Sequence, residues 1–223
     1  HTPFCEQLCN FCLCSKQITQ DYSKVKNYLY DYLSKEFDML EKHLADNKIS
    51  FNFKEIYLGG GSPTYYKKEE FKYLIGRLKN LIDFSNLGDF TIEVDPRRVT
   101  EETLIFYHEM GINRLSFGIQ DFDHGVQEEI NRIQPPELLD KLLTPKIRKL
   151  FPVINFDLLI GLPRQTTKTI EKTIQEVTRL QPSQLQTMYV HYKPGTRKYM
   201  IKMVRNEPML DFYDRKAVFQ KAS

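Results

Sequence analysis

The sequence predicts an α/β protein built as a partial (β/α)6 barrel of the TIM type, with parallel strands inside and helices outside. The first observation behind this fold class is order: a strand precedes a helix six times when residues 1–4 are counted as the first strand. Such alternation is typical of parallel strands joined by right-handed helical crossovers. The second is length, because 223 residues are few for a closed eight-unit barrel of about 250 residues. The third is that polar and glycine-rich segments follow the strands, at the sheet edge where α/β proteins carry their chemistry.

Helices are predicted where apolar residues recur three or four positions apart. The clearest stripes are Val25, Leu29, Leu33, Phe37, Leu40 and Leu44; Phe71, Leu74, Ile75, Leu78 and Ile82; and Ile170, Ile174, Val177 and Leu180. The first stripe predicts a helix over residues 24–46. Thr100 is a candidate N-cap for a helix that ends before Gly111, and two further helical stretches are predicted at about 123–132 and 136–150.

Strands are predicted in short apolar runs that end at turn-forming residues. After the first strand they cover residues 55–58, 90–94, 114–119, 154–160 and 185–189. Four of them are followed by polar or glycine-rich segments, namely Gly59–Pro63, Asp95–Arg97, Gln120–Phe122 and Gly161–Arg164. Because the carboxyl ends of parallel strands meet at one edge of the sheet, these segments are expected to converge on one site.

Composition excludes several classes of protein. Lys and Arg total 32 and Asp and Glu total 29, so the net charge of +3 argues against a nucleic-acid partner. The 41% apolar and 27% charged residues are typical of a globular protein rather than a disordered one. No apolar run approaches the roughly 18 residues of a membrane span, and no secretory signal is recognisable. We therefore expect no membrane span and a cytoplasmic location.

The four cysteines, Cys5, Cys9, Cys12 and Cys14, all lie within ten residues. A disulfide framework joins distant segments, so this grouping favours a metal or cluster site in a reducing compartment. The spacing Cys5-x3-Cys9-x2-Cys12 suits a [4Fe–4S] cluster with three thiolate ligands and one iron left open, and Phe11 is an apolar side chain to shield it. A four-cysteine zinc site is the alternative, although two ligands one residue apart would strain a tetrahedron.

The sequence resembles that of a known family. Its opening, His1–Cys14, resembles that of radical S-adenosylmethionine (SAM) enzymes, and in particular of the oxygen-independent coproporphyrinogen III oxidases (coproporphyrinogen dehydrogenases). Further matching segments follow in order: Gly59–Thr64, Ile92–Arg97, Asn113–Ser116, Gly118–Phe122, Asn131–Arg132, Asp157–Leu158 and Gly161–Thr166. The resemblance covers residues 1 to about 195. It implies a radical SAM core over residues 1–195 with the cluster loop at 5–14, and a C-terminal extension over 196–223 that begins a capping domain.

The resemblance implies residues that bind SAM at the open iron. Gly60, Gly61 and Ser62 match the family's stretch at the methionine end of SAM, where glycine lets the backbone approach a ligand. Glu93 lies in the apolar run Ile92–Val94 and matches a glutamate that binds SAM. The alternatives are a plain tight turn for the glycines and an outward, solvated carboxylate for Glu93.

The same resemblance implies a second SAM molecule and a reaction-site cysteine. Gln120, Arg132 and Asp157 match positions that bind this second SAM, the alternative being salt bridges that hold the strands together. Cys14 is expected near the reaction site without being a cluster ligand, and its alternative is a small buried side chain. The segment Tyr189–Thr196 departs from the oxidase pattern, which weakens any assignment of His191 to the second SAM.

The implied activity is oxidative decarboxylation of coproporphyrinogen III, whose propionates become vinyl groups in porphyrin and haem biosynthesis. A 5′-deoxyadenosyl radical from SAM abstracts a hydrogen, and a flavodoxin or ferredoxin supplies electrons from outside. Arg97, Arg98, Arg164 and Lys193 are candidates to meet the propionates of this tetrapyrrole. The alternatives are a C-methyltransferase or cyclopropane-forming enzyme that uses a second SAM, a haem-binding chaperone, and a zinc-stabilised interaction module.

Overall fold

The computed structural model describes residues 1–193, 195, 197–201, 203 and 216, and the elements below belong to that part of the chain. The strands are β1 (Phe4–Cys5), β2 (Gln17–Ile18), β3 (Glu55–Leu58), β4 (Asp89–Val94), β5 (Arg114–Gln120), β6 (Val153–Ile160) and β7 (Gln184–Tyr189). The α-helices are α1 (Tyr22–Asn27), α2 (Ser34–Asn47), α3 (Lys68–Leu81), α4 (Glu101–Glu109), α5 (His124–Glu129), α6 (Glu137–Leu142), α7 (Pro145–Leu150) and α8 (Thr167–Leu180). Single 3₁₀ turns lie at Pro63–Tyr65, Phe84–Asn86 and Pro96–Arg98.

The predicted parallel arrangement is confirmed. Strands β3 to β7 form one sheet in the order β3-β4-β5-β6-β7, and every neighbouring pair is parallel. The first strand is reduced to the two residues of β1, which pair with β2, and a single parallel bridge between Thr2 and Gly60 joins this segment to the end of β3. The described residues thus form an open arc of strands, consistent with the partial barrel.

The two faces of the sheet differ because side chains alternate along each strand. Apolar side chains such as Phe90, Ile92, Phe117 and Phe156, each with 0% exposed surface, pack against the surrounding helices. The register places Tyr57, Glu93, Ser116, Asn155 and Asp157 on the opposite, inner face. The amino-terminal half of that polar face lines a cavity of about 490 Å³. An open arc leaves its inner face free for polar chemistry, whereas a closed eight-stranded barrel fills it with side chains.

Two predicted helices differ in detail from the structure. The helix over residues 24–46 is continuous from α1 to α2, but Tyr28–Leu33 forms a π-helical segment between them. The stretch at 136–150 is two helices, α6 and α7, since Pro145 cannot donate a helical hydrogen bond and Thr144 caps a new helix at that point. Among the described residues, no helix combines the length and apolar character that crossing a membrane requires.

Candidate active site

The predicted site residues all lie at the carboxyl edge of the sheet or in the loops that meet there. Gly60, Gly61 and Ser62 follow β3, Glu93 is the fifth residue of β4, and Gln120 ends β5. Sheet register then sets the spacing: Glu93 pairs with Ser116 on β5, and Gly118 on β5 pairs with Asp157 on β6. The polar residues of neighbouring strands therefore lie close together at this edge, as the sequence predicted.

The cysteine loop is held against this edge by backbone and amide hydrogen bonds. On one side, Thr2 N–H donates to the Gly59 carbonyl (2.7 Å) and Ser62 N–H to the Phe4 carbonyl (2.8 Å). On the other side, Asn131 donates its side-chain amide to the Leu8 carbonyl (2.8 Å), and Asn10 donates to the Glu129 carbonyl (2.8 Å). The loop is thus fixed at both flanks, between the end of β3 and the turn after α5.

Gly61 is required for this docking because no side chain fits there. A Cβ at this position would lie 2.6 Å from the Phe4 carbonyl oxygen and 2.7 Å from that of Thr2. We expect Gly61→Ala to separate residues 1–5 from the loop after β3 and to lower the free energy of unfolding by about 1–3 kcal/mol. Amide hydrogen exchange at Thr2 and Ser62 should show lost protection.

Gly76 is the matched control for this substitution. It lies in the middle of α3, and no atom lies within 4 Å of a Cβ built there. Gly76→Ala should therefore stabilise the protein, by up to about 1 kcal/mol, since alanine favours the helix. Equal effects of the two substitutions would contradict the close packing at Gly61.

The cysteine thiols influence one another and are not equivalent. The Cys14 thiol donates a hydrogen bond to Cys12, which lowers the pKa of Cys12 to about 5 and raises that of Cys14. Burial, together with the nearby Cys12 and Cys9, raises the pKa of Cys5 to about 11. Cys9 is buried and Cys14 is exposed. Within the described part of the chain, no group of three or more His, Cys, Asp or Glu side chains is arranged to hold a metal ion.

Cationic side chains surround the loop. The Arg132 guanidinium donates to the Cys9 sulfur at 3.6 Å, and the Lys16 ammonium donates to the Cys12 carbonyl at 3.0 Å. From beyond β7, Arg197 donates to the Leu13 carbonyl (3.4 Å) and Tyr199 to the Cys12 carbonyl.

The domain boundary at residue 195 remains a prediction, and most of 196–223 lies outside the described residues.

Glu93 lies on the inner face and accepts hydrogen bonds, but among the described residues no cationic side chain forms a salt bridge with it. It accepts from the Gly60 N–H (3.1 Å) and the Tyr57 hydroxyl (3.1 Å). Burial raises the pKa of Glu93 despite these two hydrogen bonds, and the charge of Asp157 contributes in the same direction. A cation bound beside Glu93 would relieve this cost.

Asp157 is the register partner of Gly118 on the neighbouring strand, and Gln120 lies two residues after Gly118. Asp157 accepts from the Asn155 amide (2.8 Å) and the Ser116 hydroxyl (3.0 Å), and burial raises its pKa. The Gln120 side-chain amide and the Arg132 guanidinium would lie 2.9 and 3.1 Å from a Cβ on Gly118. Of the buried side-chain polar atoms in the described residues, Gln120 Oε1 alone has no hydrogen-bond partner. Gln120 also has φ +70°, an uncommon conformation for glutamine.

Comparison with known proteins identifies the family. The model described as "Radical SAM superfamily" matches residues 1–177. The chain belongs to the radical SAM superfamily. Radical SAM proteins use a [4Fe–4S] cluster and SAM, and these are therefore the cofactors of this chain.

Individual relatives agree with this assignment. An oxygen-independent coproporphyrinogen III oxidase from Pseudomonas aeruginosa is 36% identical over 195 residues, which are 86% of this chain and 41% of that protein. A solved structure of coproporphyrinogen III oxidase (HemN) from Escherichia coli matches with a TM-score of 0.85 and 30% identity over 98% of this chain and 49% of that chain. Elp3 from Methanocaldococcus infernus has the same fold, with a TM-score of 0.67 and 14% identity over 90% of this chain and 51% of that chain. The chain spans less than half the length of these oxidases.

The residue types at the site of this radical SAM chain suit both cofactors, although in the described residues the cysteine side chains are not arranged to hold a single metal ion. Three thiolates on one loop with cationic neighbours suit a cluster whose ligands carry negative charge. Gln120 Oε1 lacks a donor, while burial disfavours the charge on Glu93 and Asp157. SAM carries a sulfonium and an ammonium, so it supplies the positive charge and the donors that this group of acceptors lacks.

The structure also places three further groups of residues that the sequence analysis named, which are Phe11, His191 and the candidate propionate-binding arginines. Phe11 is half-buried and packs on a small apolar cluster that includes Val126 and Leu162. His191 is exposed. The predicted propionate-binding arginines are paired with carboxylates: Arg97 binds Asp95 (2.7 Å), Arg98 binds Glu6, and Arg164 binds Glu129 (2.9 Å).

Asp121, next to Gln120, forms a buried network that the sequence did not reveal. Its carboxylate accepts from the Thr173 hydroxyl, the Gln165 side-chain amide and the Asp123 N–H, all at 2.7 Å. Gln165 in turn accepts from the Gly161 N–H at 2.7 Å. The network joins the loop after β5, which begins next to Gln120, to the loop after β6.

We expect Asp121→Asn to lower the free energy of unfolding at pH 7 by about 1–3 kcal/mol, as measured in urea. Asparagine replaces one acceptor oxygen by an NH2, which would face a donor on Gln165, Thr173 or the backbone. Asp140→Asn is the control, since Asp140 forms an exposed ion pair with Arg179 and should cost less than about 1 kcal/mol. Equal losses in the two variants would contradict the buried network.

The effect of Asp121→Asn should also depend on pH. Burial raises the pKa of Asp121 from 3.8 to about 6, so the folded protein binds this proton more tightly than the unfolded chain does. Its contribution to stability is fully present below the unfolded pKa and is lost as the pH rises through about 6. The stability difference between wild type and Asp121→Asn should therefore be larger at pH 5 than at pH 8.

Proposed function

We propose that this chain is the radical SAM core of an oxygen-independent coproporphyrinogen III oxidase, which oxidatively decarboxylates propionate side chains of a tetrapyrrole to vinyl groups. The observation that carries the proposal is the 36% identity to an enzyme of that name across 86% of the chain. The cysteine after the three-cysteine spacing, Cys14, supports it as well, because the oxidase pattern has a cysteine at this position.

In this proposal Cys5, Cys9 and Cys12 hold the cluster. Their loop is fixed at both flanks against the sheet edge, and three thiolates would leave one iron of the cluster open for SAM. The reduced cluster, when bound, supplies the electron that splits the S–C5′ bond of SAM into methionine and a 5′-deoxyadenosyl radical. The backbone of Gly60 and Gly61 with the Ser62 hydroxyl receives the methionine end, and Phe11 shields the loop from water.

The inner-face carboxylates orient the positive charges of SAM. Glu93 is held by Gly60 and Tyr57, so its carboxylate is fixed before a ligand arrives. Gln120, Arg132 and Asp157 form a second group around Gly118, which we assign to a second SAM molecule. Cys14, which interacts with Cys12 and is exposed, is the residue that we assign to the reaction site. An external flavodoxin or ferredoxin in the reducing cytoplasm is the proposed electron donor.

The test is anaerobic reconstitution of the chain with iron and sulfide, followed by SAM, dithionite and coproporphyrinogen III. We expect the reaction to form 5′-deoxyadenosine, CO₂ and a vinyl-bearing product in fixed proportion to one another. The control omits coproporphyrinogen III and should leave CO₂ and vinyl products absent.

Other products would contradict the proposal in recognisable ways. A methyl carbon transferred from SAM would indicate the methyltransferase or cyclopropane-forming reaction. Haem binding without 5′-deoxyadenosine would indicate a chaperone, and bound zinc without iron an interaction module. The segment Tyr189–Thr196, which departs from the oxidase pattern, includes positions 194 and 196, and these lie outside the described residues.

A further inference from the structure

Cys9 differs from the other cysteines in the cations that face its sulfur. Arg132 directs one guanidinium nitrogen to the Cys9 sulfur at 3.6 Å. Its other two nitrogens donate to the Gly118 carbonyl at 3.0 Å and to the Gln134 side-chain oxygen at 3.0 Å. Gln134 is itself completely buried. Arg132 is therefore oriented by the protein before any ligand binds.

Asp95 joins a second cation to the same place. Its carboxylate binds Arg97 at 2.7 and 2.9 Å and lies 3.7 Å from Arg132. Burial lowers the pKa of Arg97, but Asp95 and then the nearby Cys9 raise it, so the Arg97 guanidinium also lies close to Cys9. Two guanidinium groups with one carboxylate between them leave a net positive charge beside this sulfur. The three side chains expose between 10% and 19% of their surface, so water screens this charge only weakly.

We propose that Asp95, Arg97 and Arg132 form a positioning triad that raises the reduction potential of the cluster, through the hydrogen bond from Arg132 to the Cys9 sulfur and the positive charge of Arg97 nearby. The inference rests on the proposed binding of the cluster by Cys9. Hydrogen bonds to a cluster's sulfurs and nearby positive charge stabilise the reduced form, which carries one more electron. The triad would thereby make the cluster easier for an external donor to reduce.

The experiment is a redox titration of the reconstituted protein without SAM, followed by electron paramagnetic resonance of the reduced cluster. The variants are Arg132→Gln, Arg97→Gln and Arg132→Lys, and iron and sulfide content are measured first. The matched control is Arg114→Gln, which removes an arginine that pairs with Asp89 (2.8 Å) at the opposite, amino-terminal end of the strands. Leaving out SAM separates the effect on the cluster from any role of Arg132 in binding a second SAM.

We expect the ratio of reduced to oxidised cluster at a fixed potential to fall about tenfold in Arg132→Gln and in Arg97→Gln, which is about 59 mV for one electron. Arg132→Lys should recover part of this loss, and Arg114→Gln should match the wild type. Unchanged potentials in both glutamine variants would overturn the inference and leave the proposed function standing. Iron lost from both variants but retained by Arg114→Gln would assign the triad to loop assembly and likewise overturn it. A wild-type chain that assembles no cluster would contradict the proposed function itself.

Discussion

Alanine at Cys5, Cys9 or Cys12 is expected to abolish the iron–sulfur cluster completely. Each of these thiolates is the only protein ligand of one iron in the proposed site, so removing one leaves that iron without a protein ligand. After anaerobic reconstitution, the three variants should contain almost no iron or acid-labile sulfide and should lack the brown colour that dithionite bleaches in the wild type. SAM cleavage should be lost with the cluster.

Cys14→Ala is the matched control, since it removes a thiol from the same loop. Cys14 is exposed and acts as a hydrogen-bond donor to Cys12, so we expect this variant to keep iron, sulfide and colour. Turnover of coproporphyrinogen III should nevertheless fall to background, because Cys14 is proposed to act at the reaction site. Equal loss of iron in all four variants would make Cys14 a ligand and would remove the open iron on which SAM binding depends.

The second large effect is expected at Glu93. Glu93→Gln keeps the size of the side chain and its hydrogen bond from the Gly60 N–H but removes the charge that faces the cation. Losing one partner of a buried charged pair costs about 2 kcal/mol or more, so we expect SAM to bind about 30-fold more weakly or worse. Calorimetric titration of SAM into the reconstituted protein measures this directly.

Glu55→Gln controls for the loss of one negative charge. Glu55 lies on the same inner face but at the amino end of β3, and it is exposed. Its substitution should leave SAM affinity unchanged within about twofold, because water screens an exposed charge. Normal SAM affinity in Glu93→Gln, with the cluster intact, would exclude Glu93 from the SAM site.

Much of the fold could be predicted because its determinants are local. Apolar stripes at helical spacing and short apolar runs that stop at glycine or proline indicate each element independently of its neighbours. The parallel order followed from the alternation of strands and helices. Prediction failed where local signals are weak: residues 1–4 contain too little sequence to show that only Phe4–Cys5 would pair, and Tyr28–Leu33 has an ordinary helical pattern although its hydrogen bonds are those of a π-helix.

The residues of the candidate site could be predicted from the sequence, but their hydrogen-bond and ion-pair partners could not. Glu93 and Asp157 stood out because a carboxylate inside an apolar strand needs compensation. Nothing in the sequence indicated that Tyr57 would support Glu93, or that Asp95 would join Arg97 to Arg132. Arg97 was a candidate to bind the propionates, whereas in the structure its guanidinium is paired with Asp95. The Tyr57–Glu93 and Asp95–Arg132 contacts join segments that are distant in the sequence, and their distances follow from the tertiary packing.

The sequence by itself determined the parallel α/β architecture, the family resemblance and the chemistry available to it, because these depend on residue type, spacing and order along the chain. Only the tertiary structure decided which side chains meet. It brought the turn after α5 against the cysteine loop, aimed Arg132 at Cys9 and left Gln120 Oε1 without a donor. The physical reason is that hydrogen bonds and charge interactions weaken within a few ångströms. They therefore depend on which segments pack together in space rather than on the order of the residues along the chain.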